Sequence, residues 1–329
     1  MHPKHWYSFH WITFLLLPFS WLFRLLVAIR YWLYQFHLKK KTYFNVPVIV
    51  VGNMTVGGTG KTPFVIWLAN QLQKKGYRPG IVSRGVGGKQ YAQPYWVDAY
   101  SDPKEVGDEA VLLAKRAHCP MIVCIDRVAA VKTLLQKTNC NIVISDDGLQ
   151  HYRLGREMEI VIVDGAREFG NGQLLPAGPL REPLGRLQKV DWIVINGNSD
   201  LRHPVLQSNT LVKMNLSGDI LWSMVEPHKK ISLDQLHQKT VHVVAGIGHP
   251  QRFFSALRDR HIEVIEHIFP DHYLYQRQDI YFEDDLPVIM TEKDAVKCVE
   301  FADKRHWYLP VEAQMDLTVE EMICKRLKK

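Results

Sequence analysis

Gly57-Gly58-Thr59-Gly60-Lys61-Thr62 is the densest concentration of potential chemistry in the chain. It follows the β-favouring run Val48-Ile49-Val50-Val51. An apolar stretch comes after it, opening with Pro63, a residue suited to the first turn of a helix. A glycine turn between a strand and a helix N-terminus aims backbone N–H groups at phosphate oxygens. In such a loop Lys61 reaches the terminal phosphates and the Thr62 hydroxyl ligates Mg²⁺. Thr55 stands where the usual pattern has its first Gly and is followed by Val56, so Thr55–Thr62 reads as a variant phosphate loop.

Acids follow neighbouring strands. Asn141-Ile142-Val143-Ile144-Ser145 runs into Asp146-Asp147-Gly148, the usual place for a carboxylate facing Mg²⁺. Two adjacent acids let one serve the metal and the other orient a nucleophile or a cationic partner. An Asx turn at Asp-Gly is the plainer alternative. Asp108 and Glu109 open an expected helix, where capping competes with catalysis. His272, in Pro270-Asp271-His272-Tyr273, and His151, beside the acid pair, are the imidazole candidates. Arg84 lies in a second glycine loop, Ser83-Arg84-Gly85-Val86-Gly87-Gly88, and with His151 is a further candidate substrate contact. Arg181 and Glu182, set between Pro179 and Pro183, suit contacts to an anionic substrate or stand as solvated charges. Thr291-Glu292-Lys293-Asp294 reads as a capped helix start.

Strands alternating with helices predict an α/β fold with a doubly wound parallel sheet, whose ligands gather at the carboxyl ends of the strands. The Thr55–Thr62, Ser83–Gly88 and Asp146–His151 segments all follow strands and can converge. The Gly/Pro-rich stretch 170–183 is too long for a simple connection, and its Leu and Pro content predicts an ordered, functional loop. Residues 210–226 read as a hairpin around Ser217-Gly218-Asp219, after which a second βα series begins. The expected organisation is an N-terminal membrane-associated helix over 1–40, a phosphate-loop domain over 41–209, a β-hairpin linker over 210–229 and a smaller α/β domain over 230–329.

Residues 6–36 are rich in Leu, Phe and Trp, with no small-residue cleavage site after them. From Pro18 onward, helical spacing puts Ser20, Arg24, Tyr31 and Gln35 on one side and Leu22, Leu25, Leu26, Ile29, Leu33 and Phe36 on the other. With Lys39-Lys40-Lys41 behind it, this predicts a helix lying in or on a membrane interface. A span from Trp11 to Ile29 is the alternative, opposed by Arg24 and Pro18. A net charge of +7 favours a polyanionic neighbour, but the basic residues are dispersed, which argues against a nucleic-acid groove. The five cysteines, Cys119, Cys124, Cys140, Cys298 and Cys324, form no CxxC pair and read as reduced thiols of a cytosolic protein.

The chain resembles the tetraacyldisaccharide 4′-kinase family of Gram-negative bacteria. The resemblance rests on the phosphate loop, Ser83-Arg84-Gly85, Gly107-Asp108-Glu109, Asp146-Asp147-Gly148-Leu149-Gln150-His151, Leu174–Pro183, Asp271-His272 and Thr291-Glu292-Lys293-Asp294-Ala295. It implies ATP-dependent phosphorylation of the 4′-hydroxyl of an acylated glucosamine disaccharide 1-phosphate. The implied location is the cytoplasmic face of the inner membrane, among its lipids, without an obligate protein partner. It also implies an interdomain active site with Asp108 and His272 activating the hydroxyl. Asp108 is then expected to accept the proton and His272 to orient or share it, with Asp147 as a further catalytic acid. Thr62, Glu109 and Asp146 are the expected Mg²⁺ shell. Val86 stands where the family often carries Tyr. The rival reading is an ATP-driven switch or assembly factor acting on a membrane-associated protein.

Overall fold

The computed structural model describes residues 3–8, 10–199, 206, 210–226 and 228–327. Its strands are β1 (Val48–Gly52), β2 (Pro79–Ser83), β3 (Tyr95–Val97), β4 (Met121–Val123), β5 (Ile142–Asp146), β6 (Met158–Asp164), β7 (Trp192–Asn196), β8 (Thr210–Ser217), β9 (Ile220–Ser223), β10 (Lys230–Ser232), β11 (Thr240–Ala245), β12 (Glu263–Ile268), β13 (Val288–Thr291), β14 (His306–Leu309) and β15 (Glu312–Gln314). Its α-helices are α1 (Trp11–Gln35), α2 (Lys61–Lys74), α3 (Pro103–Val106), α4 (Asp108–Ala117), α5 (Arg127–Lys137), α6 (Pro250–Arg258), α7 (Arg277–Ile280), α8 (Glu292–Ala295) and α9 (Leu317–Leu327).

The larger sheet has nine strands in the order β15-β8-β7-β6-β1-β5-β2-β4-β3. The run from β8 to β4 is parallel, with β15 and β3 antiparallel at the two edges. β1 lies centrally and is buried throughout, which is why Val48–Val51 reads as continuous apolar sequence rather than alternation. Successive residues feed opposite faces. Ile49 and Val51 join the core formed with α2 and α4, whereas Val48 and Val50 join the core formed with α5. The second sheet has six strands in the order β10-β9-β14-β13-β11-β12, with β14, β13, β11 and β12 parallel.

Two expectations about organisation need correction. The 210–226 segment does not close as a hairpin: β8 pairs with β7 in the first sheet, and β9 pairs with β14 and β10 in the second. The turn at Ser217-Gly218-Asp219 instead passes the chain between sheets. Periodicity identifies two strands but not their partners, and here each strand completes a different hydrophobic layer. Nor does the C-terminal segment stay in the second domain. β15 pairs with β8, and Val319 and Ile323 of α9 enter the core of the first domain. The boundary read at 209/210 falls at the edge of residues outside those described. Between β2 and α4 the chain forms the edge strand β3 and the single turn α3.

α1 begins earlier than Pro18 and continues through it, capped by the His10 side chain, which accepts a hydrogen bond from the Ile12 amide at 3.3 Å. Ser20 and Tyr31 of its polar stripe face the protein, whereas Arg24 and Gln35 are exposed. Ser20 is buried and donates to the Leu174 carbonyl at 2.8 Å, and Arg30 donates to the Gln150 carbonyl at 3.1 Å. Phe23 packs on the core around Met54 and Leu149. The apolar stripe faces outward, with Trp11, Phe14, Phe19, Trp21, Leu22 and Leu26 each more than half exposed. Cys119, Cys124, Cys140 and Cys298 are free thiols, and the Cys324 side chain lies outside the described part.

Ile323 is 2% exposed in the core it shares with α2. Ile323→Ala should therefore destabilise the phosphate-loop domain by about 2–5 kcal/mol. Urea unfolding followed by Trp67 fluorescence reads this, and an unchanged midpoint would return α9 to the second domain.

Candidate active site

The phosphate loop is held from several sides. Asn53 Nδ2 donates to the Gly57 carbonyl at 3.1 Å, and Asn196 Nδ2 at the end of β7 donates to the Thr59 carbonyl at 3.0 Å. Arg167, itself paired with Asp164, donates to the Gly58 carbonyl. The 170–183 stretch forms the outer brace: the Val56 amide donates to the Pro179 carbonyl at 2.9 Å, and the Arg181 amide to the Met54 carbonyl at 2.7 Å. Gly60 has φ +94°, and a Cβ there would meet Asn196 Nδ2 at 2.5 Å. Glycine is thus required twice over, for backbone conformation and for space. Lys61 and Thr62 then open α2 with their side chains at the loop.

A cleft of about 410 Å³ runs between the domains in front of this loop. Gly58–Pro63, Glu109 and Asn196 line one wall, and Gly248, His249, Arg252, Asp271 and Lys293 line the other. Arg252 reaches across and donates to Asn196 Oδ1 at 3.2 Å, so the second domain touches the phosphate loop through one intermediary.

The two acids after β5 have opposite environments. Asp147 adopts φ +47°, a left-handed conformation that Asp tolerates in a turn. Its carboxylate meets Lys61 Nζ at 3.4 Å and Arg181 Nη1 at 3.1 Å. Burial alone would raise its pKa, but these cations hold it well below the usual carboxylate range. Asp146 is fully buried and accepts from Ser83 Oγ at 3.1 Å, leaving Oδ1 without a partner. Burial, with the nearby Glu109 and Asp147 carboxylates, pushes it up to about 6. An unpaired buried oxygen among carboxylates suits a cation. Among the described residues no three His, Cys, Asp or Glu side chains make a closed metal cage. That fits Mg²⁺ held jointly by one or two carboxylates, a hydroxyl and phosphate oxygens. Asp146, Glu109 and Thr62 are the side chains that fit.

Asp108 begins α4, but it does not cap the helix: the N-cap is Gly107, without a side-chain hydrogen bond. The Asp108 carboxylate instead crosses to the second domain, where His272 Nδ1 lies 3.0 Å from Oδ1 and Lys297 Nζ 3.4 Å from Oδ2. The Glu109 amide donates to Oδ1 at 2.8 Å. Burial would raise the Asp108 pKa, but the His272 hydrogen bond and the Lys293 and Lys297 charges bring it down to about 2. The hydrogen bond to Asp108 raises the pKa of His272, against its own burial. His272 has φ +60°, and Gly87 lies directly beneath it, where a Cβ would meet Nδ1 at 2.7 Å. The glycine loop after β2 thus seats the imidazole rather than contacting phosphate.

Lys293 closes the arrangement. It bridges Glu109 Oε1 at 2.8 Å and Asp271 Oδ1 at 2.9 Å, and these acids, with Asp108, hold its pKa above the usual lysine value despite burial. Glu292 beside it accepts from Arg116 Nη1 at 2.8 Å, a second interdomain pair. Thr291 does cap α8, accepting from the Asp294 amide, as its spacing predicts. Sequence reasoning stopped at that cap and missed Lys293, Lys297, Asn196 and Arg252. The available signal was an unusual charge density at the end of a buried strand.

Three of the candidate substrate contacts lie away from the acid pair. Glu182 is 1% exposed and points into the domain, where Gln150 Nε2 donates to it at 3.2 Å and also to the Asn53 carbonyl at 3.3 Å. It braces the phosphate loop from beneath, because a carboxyl between two prolines turns inward once the loop packs. His151 faces Asp126 at the start of α5, and burial with the Arg127 charge depresses it to about 4. It therefore stays neutral and turns from the acid pair. Arg84 is exposed and donates to Gln90 Oε1 at 3.0 Å. Only Arg181 of this group reaches the acid pair. Val86 is an exposed aliphatic rim beside Gly87.

The tetraacyldisaccharide-1-P 4′-kinase family profile matches residues 12–328. A tetraacyldisaccharide 4′-kinase from Nitrosococcus oceani is 48% identical over 325 residues, spanning 99% of this chain and 94% of the relative. The one from Coxiella burnetii is 49% identical over 312 residues, spanning 94% and 90%. A crystal structure of LpxK from Aquifex aeolicus in complex with ATP superposes with a TM-score of 0.80 at 30% identity, covering 96% of this chain and 99% of that one. With its phosphate loop, interdomain cleft and Asp–His pair joining the domains, this chain belongs to the tetraacyldisaccharide-1-P 4′-kinase family.

Proposed function

We propose that this protein transfers the γ-phosphoryl group of ATP to the 4′-hydroxyl of a tetraacylated glucosamine disaccharide 1-phosphate, a step of lipid A synthesis. Family membership supports the reaction. The observation that carries the mechanism is the Asp108–His272 pair, joined across the domains next to Glu109 and Asp271, which line the cleft together with the phosphate loop. A switch ATPase working on a protein partner has no use for a base aimed at an acceptor.

The geometry favours reversing the roles first expected for the pair. Asp108 is 3% exposed, and its oxygens are engaged by His272, Lys297 and the Glu109 amide. No substrate hydroxyl reaches it. His272 is more open, and with Nδ1–H donated to Asp108 its Nε2, 4.0 Å from Asp271 Oδ2, carries the lone pair. His272 Nε2 takes the 4′-hydroxyl proton as that oxygen bonds to the γ-phosphorus and the bond to the β,γ-bridging oxygen breaks, leaving ADP. Asp108 fixes the tautomer and stabilises the imidazolium. Lys61, released from Asp147, follows the terminal phosphates, and the loop amides hold their charge. Thr62, Glu109 and Asp146 would hold Mg²⁺, which would supply charge neutralisation there. Arg181, freed in turn, suits the anionic acceptor. The outward apolar stripe of α1 rests on the cytoplasmic face of the inner membrane, where that acceptor lies.

His272→Ala should lower kcat by about 10²–10⁴-fold while leaving ATP affinity nearly unchanged. Phosphoryl transfer from labelled ATP to the lipid, with water as control acceptor, measures it, and full turnover in this variant refutes the assignment. A base works deprotonated, so kcat should rise with pH through a His272 pKa that Asp108 holds above its ordinary value. Asp108→Asn removes that support, so the acid limb should move to lower pH as kcat falls. A limb that stays in place would return the proton to another group. Deleting residues 1–40 should release the protein from membranes and raise the apparent KM for the lipid. Sedimentation with membranes after truncation would locate the anchor elsewhere.

A further inference from the structure

A second cavity, of about 200 Å³, lies between the C-terminal part of α1 and the first domain, lined by none of the cleft residues named above. Four cationic side chains line it, Lys41, Arg156, Arg186 and Lys189, against the single carboxylate of Glu159. Glu159 is already shared: Arg156 Nη1 lies 2.9 Å and Arg186 Nη2 2.6 Å from its Oε1. Lys41 and Lys189 are left without a carboxylate partner among the described residues. Lys189 does not range freely, because it donates to the Tyr31 hydroxyl of α1 at 2.6 Å and sits 4.6 Å from that ring centroid.

Gathered like charges around a confined space repel, and the arrangement is relieved by a compact anion with several acceptor oxygens. A phosphate group matches in size and chemistry. Its source follows from position. The cavity is lined by Tyr31 and Gln35 on the polar side of α1 and by Lys41 of the Lys39-Lys40-Lys41 run, and its Lys189 lies 5.9 Å from the ring centroid of the exposed Trp32, at the level where an interfacial helix meets lipid headgroups. We infer that this cavity seats the phosphodiester headgroup of an anionic bilayer phospholipid, separately from the acceptor lipid. The lipid source rests on the interfacial reading of α1, whereas the preference for a phosphate does not.

The test uses the full chain and vesicles of phosphatidylcholine alone or in equimolar mixture with phosphatidylglycerol. Lys41→Gln combined with Lys189→Gln should weaken binding to the anionic vesicles roughly tenfold more than Lys39→Gln with Lys40→Gln, since contacts to one phosphate are lost besides diffuse attraction. Equal losses in the two pairs would overturn the site. Glycerol 3-phosphate raising the melting midpoint of the wild type but not of the cavity pair, together with equal vesicle losses, would give the site to a soluble phosphate and overturn the lipid assignment. The cavity pair should keep the wild-type kcat and acceptor KM in detergent micelles. A raised KM there would transfer the cavity to the acceptor and also overturn the inference. A wild type that ignores both vesicles would instead defeat the interfacial reading of α1, and the lipid source with it, while leaving the kinase reading intact.

Discussion

The carboxylate of Asp108 is charged, nearly inaccessible to water, and satisfied largely by groups from the other domain. A buried ion without partners costs several kcal/mol. The first domain therefore pays least for this residue when His272 and Lys297 are beside it. The same contact defines the candidate base, because the Asp108 hydrogen bond sets the tautomer and proton affinity of His272. Lys293 and Arg116 add interdomain ion pairs on the flank. The contact that joins the domains is thus the same contact that assembles the candidate acid–base pair.

A similar economy governs the phosphate loop. Its amides must stay free for an anion, so it cannot be held by its own N–H groups alone. The holding is done mostly on its carbonyls, by Asn53, Arg167 and Asn196. The 170–183 brace supplies the exception at the loop's start, through Val56. That brace also fixes Arg181 by its own amide, and Arg181 in turn holds Asp147 beside Lys61. An ordered Pro-rich loop thus connects the phosphate cradle to the acid pair, and its order follows from these bonds.

Much of this was legible in residue order. Central parallel strands are buried on both faces and show as apolar runs, and the glycine turn, the acid pair and the second βα series follow in readable sequence. What was not legible depends on pairing across distance. A strand's partner is chosen by the layer it completes, so β8 and β9 looked like a hairpin although they serve different sheets. The return of β15 and α9 to the first domain is of the same kind. Motif position found Asp108 and His272 but not that Asp108 is the more deeply buried of the two. Glu182 and His151 were misplaced for the converse reason: a charged or polar residue in a loop reads as exposed until packing turns it inward. Lys293 was hidden behind a correct local explanation, the Thr291 cap.

α1 inverts the usual logic of a surface helix. Polar side chains along it, Ser20 and Arg30, bond to the protein, while large apolar side chains from Trp11 to Phe36 face away from the core. Fully burying a large apolar side chain is worth about 1.5–3 kcal/mol, so such a stripe is costly in water and favourable in lipid. Length and hydropathy alone would also permit a span. The docking argues against it, because Ser20 and Phe23 fasten the middle of the helix to the phosphate-loop domain. A helix crossing the bilayer would carry those contacts, and the domain with them, into the hydrocarbon. A helix lying in the interface keeps them at the surface and holds the domain against the membrane.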